Sequence, residues 1–287
     1  MKHLKIFINL TRLNKPIGFM LLFWPCSWGL AYAYNLNQGL NTFLYYLLLF
    51  FLGSILMRSA GCIVNDIVDK DFDKKVERTK NRPIASGKIS ILKSLVYVIF
   101  LCFLSLLILL QFNKLTIILG MSSMIFAFAY PFMKRITYWP QLFLGLTFNW
   151  GIIMGWASIT NSISIEPFIL YLSAIFWTLG YDTIYGIQDI KDDEIIGVKS
   201  TSIKFKNYAK VFVAGCYCLC ILFILIMFLM MEINKYILFL SIPFIISFIY
   251  QIKMFRINNS KSCLIAFKNN NLTGILIFIF IFSFNIL

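Results

Sequence analysis

The sequence predicts an all-α polytopic membrane protein, and three observations carry that reading. Hydrophobic residues make up 60% of the 287-residue chain and charged residues only 13%. That is more apolar surface than a water-soluble chain of this length can bury. The apolar runs exceed the roughly 17–25 residues that a spanning helix needs, and no period-2 alternation suggests a barrel. The basic residues, finally, are confined to alternate loops. The runs fall at about residues 17–35, 43–64, 91–111, 115–133, 138–160, 167–187, 211–231, 236–255 and 268–286. The expectation is nine spans in a single domain, 1–287, with Lys268 and the Asn269-Asn270-Asn271 run blurring the start of the last.

Lys and Arg gather in the N-terminal segment (Lys2, Lys5, Arg12, Lys15), in the 65–93 loop, at Lys134-Arg135, and in the 186–210 and 253–268 loops. The loops at 36–42 and 161–166 carry none, and those at 112–114 and 232–235 carry one each, Lys114 and Lys235. This alternation follows the positive-inside rule and places the N-terminus and the basic loops in the cytoplasm. Attraction to anionic lipid accounts for the net charge of +14, so no nucleic-acid partner is called for. About 16 residues precede the first span, and that span shows no small-residue cleavage site. A multi-pass protein of a bacterial plasma (inner) membrane is therefore expected.

The seven cysteines lie within or beside apolar runs and read as small apolar residues. His3 is the sole histidine, which excludes a histidine base or a histidine metal site.

Ten of the twelve acidic residues lie in two stretches on one membrane face. Asp66, Asp69, Asp71, Asp73 and Glu77 follow the second span, and Asp182, Asp189, Asp192, Asp193 and Glu194 end or follow the sixth. At about 100° per residue, Asn65, Asp66, Asp69 and Asp73 fall within a ~100° arc that also holds Arg58, while Asp71 points away. If the sixth span stays helical past Gly186, then Asp182, Asp189 and Asp193 share an arc of about 40° and Glu194 faces elsewhere. Asp71, Glu77 and Glu194 read as solvated loop charges.

Carboxylates gathered in this way repel: two unit charges ~4 Å apart cost about 4 kcal/mol at an effective dielectric near 20. Oxygen ligands without His or Cys point to a hard cation, Mg²⁺ or Mn²⁺. Such an ion takes one or two protein carboxylates and fills its shell with water and phosphate. Two ions ringed by Lys and Arg would clamp a diphosphate.

The string NDIVDKDFD (65–73) has the form N-D-x-x-D-x-x-x-D, and DIKDD (189–193) the form D-x-x-x-D. With RLNKPIG (12–18), RSAGCIVND (58–66), RTKNRPIASG (78–87), YPFMK (130–134), FNWG (148–151) and YDTIYGIQDIKDDEIIGVKST (181–201), the chain resembles the intramembrane aromatic prenyltransferases of the UbiA type. The resemblance runs from residue 12 to 201. It is strongest to the branch that prenylates 4-hydroxybenzoate in ubiquinone synthesis.

The resemblance implies a bundle of about nine transmembrane helices around a central cavity that opens to lipid. There Mg²⁺ would hold a polyprenyl diphosphate, and 4-hydroxybenzoate would be alkylated ortho to its hydroxyl. By matching positions, Asn65, Asp69 and Asp73 serve one metal, Asp189 and Asp193 the other, and these four aspartates carry catalysis. Asp66 and Asp182 are shared or supporting ligands, Asp182 on the substrate side. Tyr130 and Lys134, one turn apart, face the diphosphate, unless Lys134 is only a membrane anchor. Arg58 binds phosphate or neutralises Asp66 and Asp69. Arg12 meets the aromatic carboxylate or phosphate. Asn149 touches the aromatic substrate or bonds a neighbouring helix. Sister enzymes using naphthoate, homogentisate, haem or a lipid glycerol are the nearest rivals, and a cation-coupled transporter a distant one.

Overall fold

Uninterrupted Leu, Ile and Phe runs satisfy every backbone N–H and C=O inside a helix, one of the two ways a chain can cross hydrocarbon. The computed structural model describes residues 2–34, 39–77, 79–231 and 233–285; Arg78, Glu232, linker residues 35–38 and the extreme terminal residues lie outside them. Among the described residues all regular structure is helical. The elements are α1 (Lys2–Thr11), α2 (Ile17–Ala33), α3 (Leu40–Val68), α4 (Lys70–Asp73), α5 (Ile91–Leu109), α6 (Lys114–Ile136), α7 (Pro140–Asn149) and α8 (Gly151–Thr160). They continue with α9 (Glu166–Gly186), α10 (Ile190–Ile196), α11 (Thr201–Lys204), α12 (Ala209–Met230), α13 (Ile242–Met254), α14 (Ser260–Lys268) and α15 (Asn270–Phe282).

The all-α membrane fold stands, but the count of nine spans is not confirmed. Seven segments are long and apolar enough to cross: α3, α5, α6, Pro140–Thr160, Lys206–Met230, Lys235–Met254 and Ser260–Asn285. Helix α2 is apolar but only 17 residues long. Helix α9 has the length but carries Glu166 and Asp182, and most of its residues are buried against protein. It packs on α12, α7, α14, α8 and α2, which makes it the central helix of the bundle.

Three other boundaries differ from expectation. The 138–160 run breaks at Trp150 into α7 and α8. The last rod begins eight residues early, as α14, and breaks at Asn269. The N-terminal segment forms α1 rather than a simple tail.

The polar run at the last break fastens the rod sideways. Asn269 Nδ2 donates to Ser247 Oγ (2.8 Å), Trp177 Nε1 donates to Asn270 Oδ1 (2.7 Å), and Trp24 Nε1 donates to Asn271 Oδ1 (2.9 Å). Three consecutive asparagines thus bond to α13, α9 and α2, polar bonds of the kind that join helices where hydrophobic contrast with lipid is absent.

Close backbone approach joins the other side of α2 to α8. A Cβ added at Gly29 would stand 2.1 Å from the Ile152 carbonyl oxygen, and one at Gly155 would stand 2.5 Å from that of Cys26. Gly29→Val should therefore force the helices apart and lower stability by about 1–3 kcal/mol, read as a fall in Tm in detergent. Gly53→Ala, where nothing lies within 4 Å, should leave Tm unchanged; equal shifts in the two variants would show that the α2–α8 contact is not tight.

Candidate active site

Asn65, Asp69, Tyr130, Pro131, Lys134 and Pro140 line one cavity of about 50 Å³. It lies where the end of α3 meets the end of α6 and the start of α7. Pro131 has no N–H and opens the α6 hydrogen-bond ladder directly beside Tyr130. Tyr130 lies within electrostatic reach of Asp69 on α3 and Asp182 on α9, and so stands between the two acidic stretches.

The first acidic stretch is not one unbroken helix. Helix α3 ends at Val68, Asp69 takes φ −93°, ψ 5°, and α4 resumes at Lys70. The bonds Asp69 N–H to Asn65 C=O (2.9 Å) and Asp73 N–H to Asp69 C=O (2.8 Å) nevertheless keep the helical spacing. Asp66 and Asp73 are consequently buried, while Asp71 is 86% exposed and pairs only with the neighbouring Lys74. Glu77 and Glu194 likewise pair with exposed lysines, Lys80 and Lys206.

Every carboxylate that faces inwards in this stretch has a cation. Arg12 Nη2 donates to Asp66 Oδ1 (2.6 Å). Arg82 Nη1 donates to both oxygens of Asp73 (2.8 and 3.0 Å) and to Asp66 Oδ1 (3.2 Å). Lys134 Nζ donates to Asp69 Oδ2, and Arg135 stands 4.0 Å from Asp69 Oδ1 while donating to the Val68 carbonyl (3.0 Å). Arg12 holds a left-handed φ of 56°, strain that its anchorage on Asp66 sustains. Burial pushes the Asp73 carboxyl above its ordinary value, with the Arg82 guanidinium pulling it back down only in part.

The second acidic stretch departs further from a straight helix. After Gly186 the chain makes a 3₁₀ turn, Ile187–Asp189, before α10. Gly186 itself lies close against Ser202, where an added Cβ would meet Ser202 Oγ at 2.4 Å. The shared 40° face expected for Asp182, Asp189 and Asp193 therefore does not hold as drawn. Asp182 instead lies in the fields of Arg58 and Asp189. Asp193 sits in the first turn of α10.

Arg58 does not neutralise Asp66 or Asp69. Its guanidinium lies 5.7 Å from the Phe148 ring centre, and its Nε is buried without a hydrogen-bond partner. Asn149 is fully buried and bonds between helices: its Nδ2 donates to Gly145 O (2.8 Å), Ala174 O (3.0 Å) and Thr178 Oγ1 (2.8 Å). Arg82 is the residue that periodicity missed. The stretch holding it belongs to the quoted RTKNRPIASG string, but residues 79–89 form turns and bends, so helical spacing could not show which carboxylate it meets.

Among the described residues no three His, Cys, Asp or Glu side chains converge on one point as a ready-made metal cluster. The donor set still fits a hard cation. Asp66 Oδ2 and Asp69 Oδ1 are buried with no hydrogen-bond partner. An ion that brings phosphate oxygens and water needs only one or two carboxylates from the protein.

The UbiA prenyltransferase family matches residues 22–282, and the chain belongs to that family. It is 48% identical over 215 residues to the mitochondrial 4-hydroxybenzoate polyprenyltransferase of Rattus norvegicus, covering 74% of this chain and 56% of that protein. To the enzyme of that name from Caenorhabditis elegans it is 50% identical over 203 residues, 70% of this chain and 56% of that one. The chain thus spans little more than half the length of these curated relatives. Its fold matches a UbiA homolog from Aeropyrum pernix K1 with TM-score 0.76 at 21% identity, covering 94% of this chain and 98% of that one. A UbiA homolog from Archaeoglobus fulgidus bound to GPP and Mg²⁺ matches with TM-score 0.74 at 17% identity, over 98% of this chain and 100% of that one. The expectation of a bacterial plasma membrane is corrected by these relatives, which are named as mitochondrial enzymes of eukaryotes; the multi-pass membrane character stands.

Removing a cation from the buried cluster should be costly, because it strands a carboxylate. Arg82→Ala should destabilise the fold by on the order of 3 kcal/mol, whereas Lys80→Ala should do almost nothing, since the Lys80–Glu77 pair is exposed. Thermal unfolding in detergent decides this, and equal Tm values for the two variants would contradict the pairing.

Proposed function

We propose that this chain transfers a polyprenyl group from polyprenyl diphosphate to 4-hydroxybenzoate, ortho to the hydroxyl, and releases diphosphate in ubiquinone biosynthesis. The observation that carries the reading is the cavity at the ends of the spans in which Asn65, Asp69, Tyr130 and Lys134 meet. An amphiphilic donor fits that position, with its headgroup in the polar layer and its tail in hydrocarbon. In the reaction the prenyl C1–O bond breaks, a carbon–carbon bond forms to the ring, and the ring proton leaves to an oxygen base.

The roles follow from the geometry together with the family resemblance. Asn65, Asp66, Asp69 and Asp73 form one side of the headgroup site and Asp189 and Asp193 the other. Mg²⁺ held by these residues would supply positive charge against the departing diphosphate. Lys134 would release Asp69 and turn to the diphosphate when the donor arrives. Arg12 and Arg82 hold Asp66 and Asp73 in place. Arg58 lies seven residues before Asn65 on α3, about 10 Å deeper in the membrane at 1.5 Å per residue. Its unpaired Nε suits the carboxylate of the acceptor, and Asp182 and Tyr130 would orient the ring beside it. Asn149 acts as a strut between α7 and α9. Carbocation character at the prenyl C1 needs exclusion of water, which the apolar walls provide. The whole chain acts as one domain in this reading.

The test incubates membranes holding the protein with labelled prenyl diphosphate, Mg²⁺ and a choice of phenolic acceptors. 4-Hydroxybenzoate should be prenylated ahead of homogentisate and naphthoates, and EDTA should abolish the product. Asp69→Ala, Asp73→Ala, Asp189→Ala and Asp193→Ala should each lose nearly all turnover at matched expression, while Asp71→Ala and Glu194→Ala stay near wild type. Turnover with another acceptor and none with 4-hydroxybenzoate would move the chain to a sister branch. Full turnover without divalent metal would sink the metal assignment.

A further inference from the structure

Helix α6 brings both Tyr130 and Lys134 to the headgroup cavity, yet apolar packing does little to fix its end on α3. It packs chiefly along α7 and α8, and Ile118, Met121, Ile125 and Phe128 stand exposed on its outer face. Pro131 opens its hydrogen-bond ladder just before the last turn. Where hydrophobic contrast with lipid is absent, polar bonds help to set how two helices meet. Lys134 supplies one such bond, to Asp69. Lys199 ties the other flank of the α6 end: its N–H donates to the Lys134 carbonyl (2.8 Å) and its Nζ to the Ile136 carbonyl (3.2 Å).

A second bond to α3 comes from Arg135, to which the transferase reading gives no part. Its Nη2 donates to the Val68 carbonyl (3.0 Å). That carbonyl belongs to the last residue of α3, where carbonyls lack partners inside the helix and a cation meets the negative helix end. The guanidinium carbon lies 5.1 Å from the centre of the Phe72 ring on α4 and 5.9 Å from that of Phe132 on α6, within range of cation–π attraction. One side chain therefore joins α3, α4 and α6. Its charge matters less than its shape: Arg135 stands 4.0 Å from Asp69 Oδ1 and is 39% exposed, a pairing that contributes little as an ion pair. At that distance Asp69 Oδ1, buried with no hydrogen-bond partner among the described residues, stays open to a ligand.

We propose that Arg135 is a positioning residue for the headgroup site: by pinning the end of α6 to the Val68 carbonyl and the Phe72 ring, it sets where Lys134 can reach. The proposal rests on the transferase reading given above, in which Lys134 exchanges Asp69 for the donor's diphosphate. That exchange breaks the Lys134–Asp69 tie between the two helix ends. The bond from Arg135 goes to a backbone carbonyl and does not depend on the Asp69 side chain, so it persists through the exchange and keeps Lys134 over the cavity. Arg135 itself touches neither donor nor acceptor. A lysine in its place lacks the planar fork and cannot bond to the carbonyl while covering both rings.

The test measures equilibrium binding of farnesyl thiolodiphosphate, a non-reactive donor analogue, with Mg²⁺ present, together with KM for farnesyl diphosphate and for 4-hydroxybenzoate and Tm in detergent. In Arg135→Ala the analogue should bind about tenfold more weakly and the donor KM should rise by as much, with the acceptor KM unchanged. Phe72→Leu, which removes only the ring beneath the guanidinium, should shift the same two readings in the same direction, and it carries the test if Arg135→Ala does not fold. Arg135→Lys should stay within about twofold of Arg135→Ala; recovery to wild type would make a nearby charge sufficient and overturn the proposal. In a Lys134→Ala background, Arg135→Ala should change analogue affinity by less than about twofold, because it acts through Lys134. Fully additive losses would place Arg135 on the diphosphate itself and overturn the positioning role. A fall in Tm with analogue binding unchanged would reduce Arg135 to a brace of the fold and overturn it as well. Wild-type protein that binds no analogue refutes the transferase reading itself, an outcome distinct from all of these.

Discussion

Everything else in this structure depends on giving cationic partners to three carboxylates gathered at the end of an apolar span. Asp66 is 1% exposed, and its charge is tolerable there only because Arg12 and Arg82 reach it from two other segments. Removing Arg82 leaves Asp73 without its cation and Asp66 with one partner fewer, which costs far more than an exposed pair ever contributes. This requirement draws the end of α1 and the turns after α4 onto α3. It draws α6 there as well, because Lys134 must reach Asp69. The turns at 79–89, Lys134 and the 187–208 segment, whose Lys199 N–H bonds to the Lys134 carbonyl (2.8 Å), thereby collect at one end of the bundle.

The rest of the bundle holds α9 in place. Because α9 brings Asp182 and leads into the second acidic turn, its position sets the distance between the two acidic stretches. Trp177 on α9 is tied to Asn270, and Asn270 Nδ2 in turn donates to Gln251 Oε1 (2.9 Å), which also accepts from Tyr217 OH (2.7 Å). The final third of the chain carries no recognisable catalytic string. It serves as a buried polar frame around the helix that does.

The chemistry was legible in the sequence where helix periodicity governs it. The spacing of Asn65, Asp69 and Asp73 survives the slight break at Asp69, and Asp71 lies outside as its angle demands. Legibility ends where the chain leaves the helix. Arg82 lies in turns, and the 3₁₀ step after Gly186 breaks the 100° period on which the reading of the second stretch rests. Nine spans are not confirmed: among the described residues seven segments are long and apolar enough to cross, while α2 has only 17 residues and α9 faces protein on most sides. Charge alternation sorts the loops into two sets but does not identify the membrane, since it would read alike in any bilayer with an anionic face.

Cations already occupy the inward carboxylates, so the account holds that a divalent ion binds together with the diphosphate rather than ahead of it. Electron paramagnetic resonance of Mn²⁺ added to the purified protein tests this most directly, with and without a non-reactive prenyl diphosphate analogue. The account predicts weak binding of Mn²⁺ alone and tight binding once the analogue is present, lost in Asp69→Ala and in Asp189→Ala. Tight Mn²⁺ binding without any diphosphate, or analogue binding that ignores the metal, would contradict it.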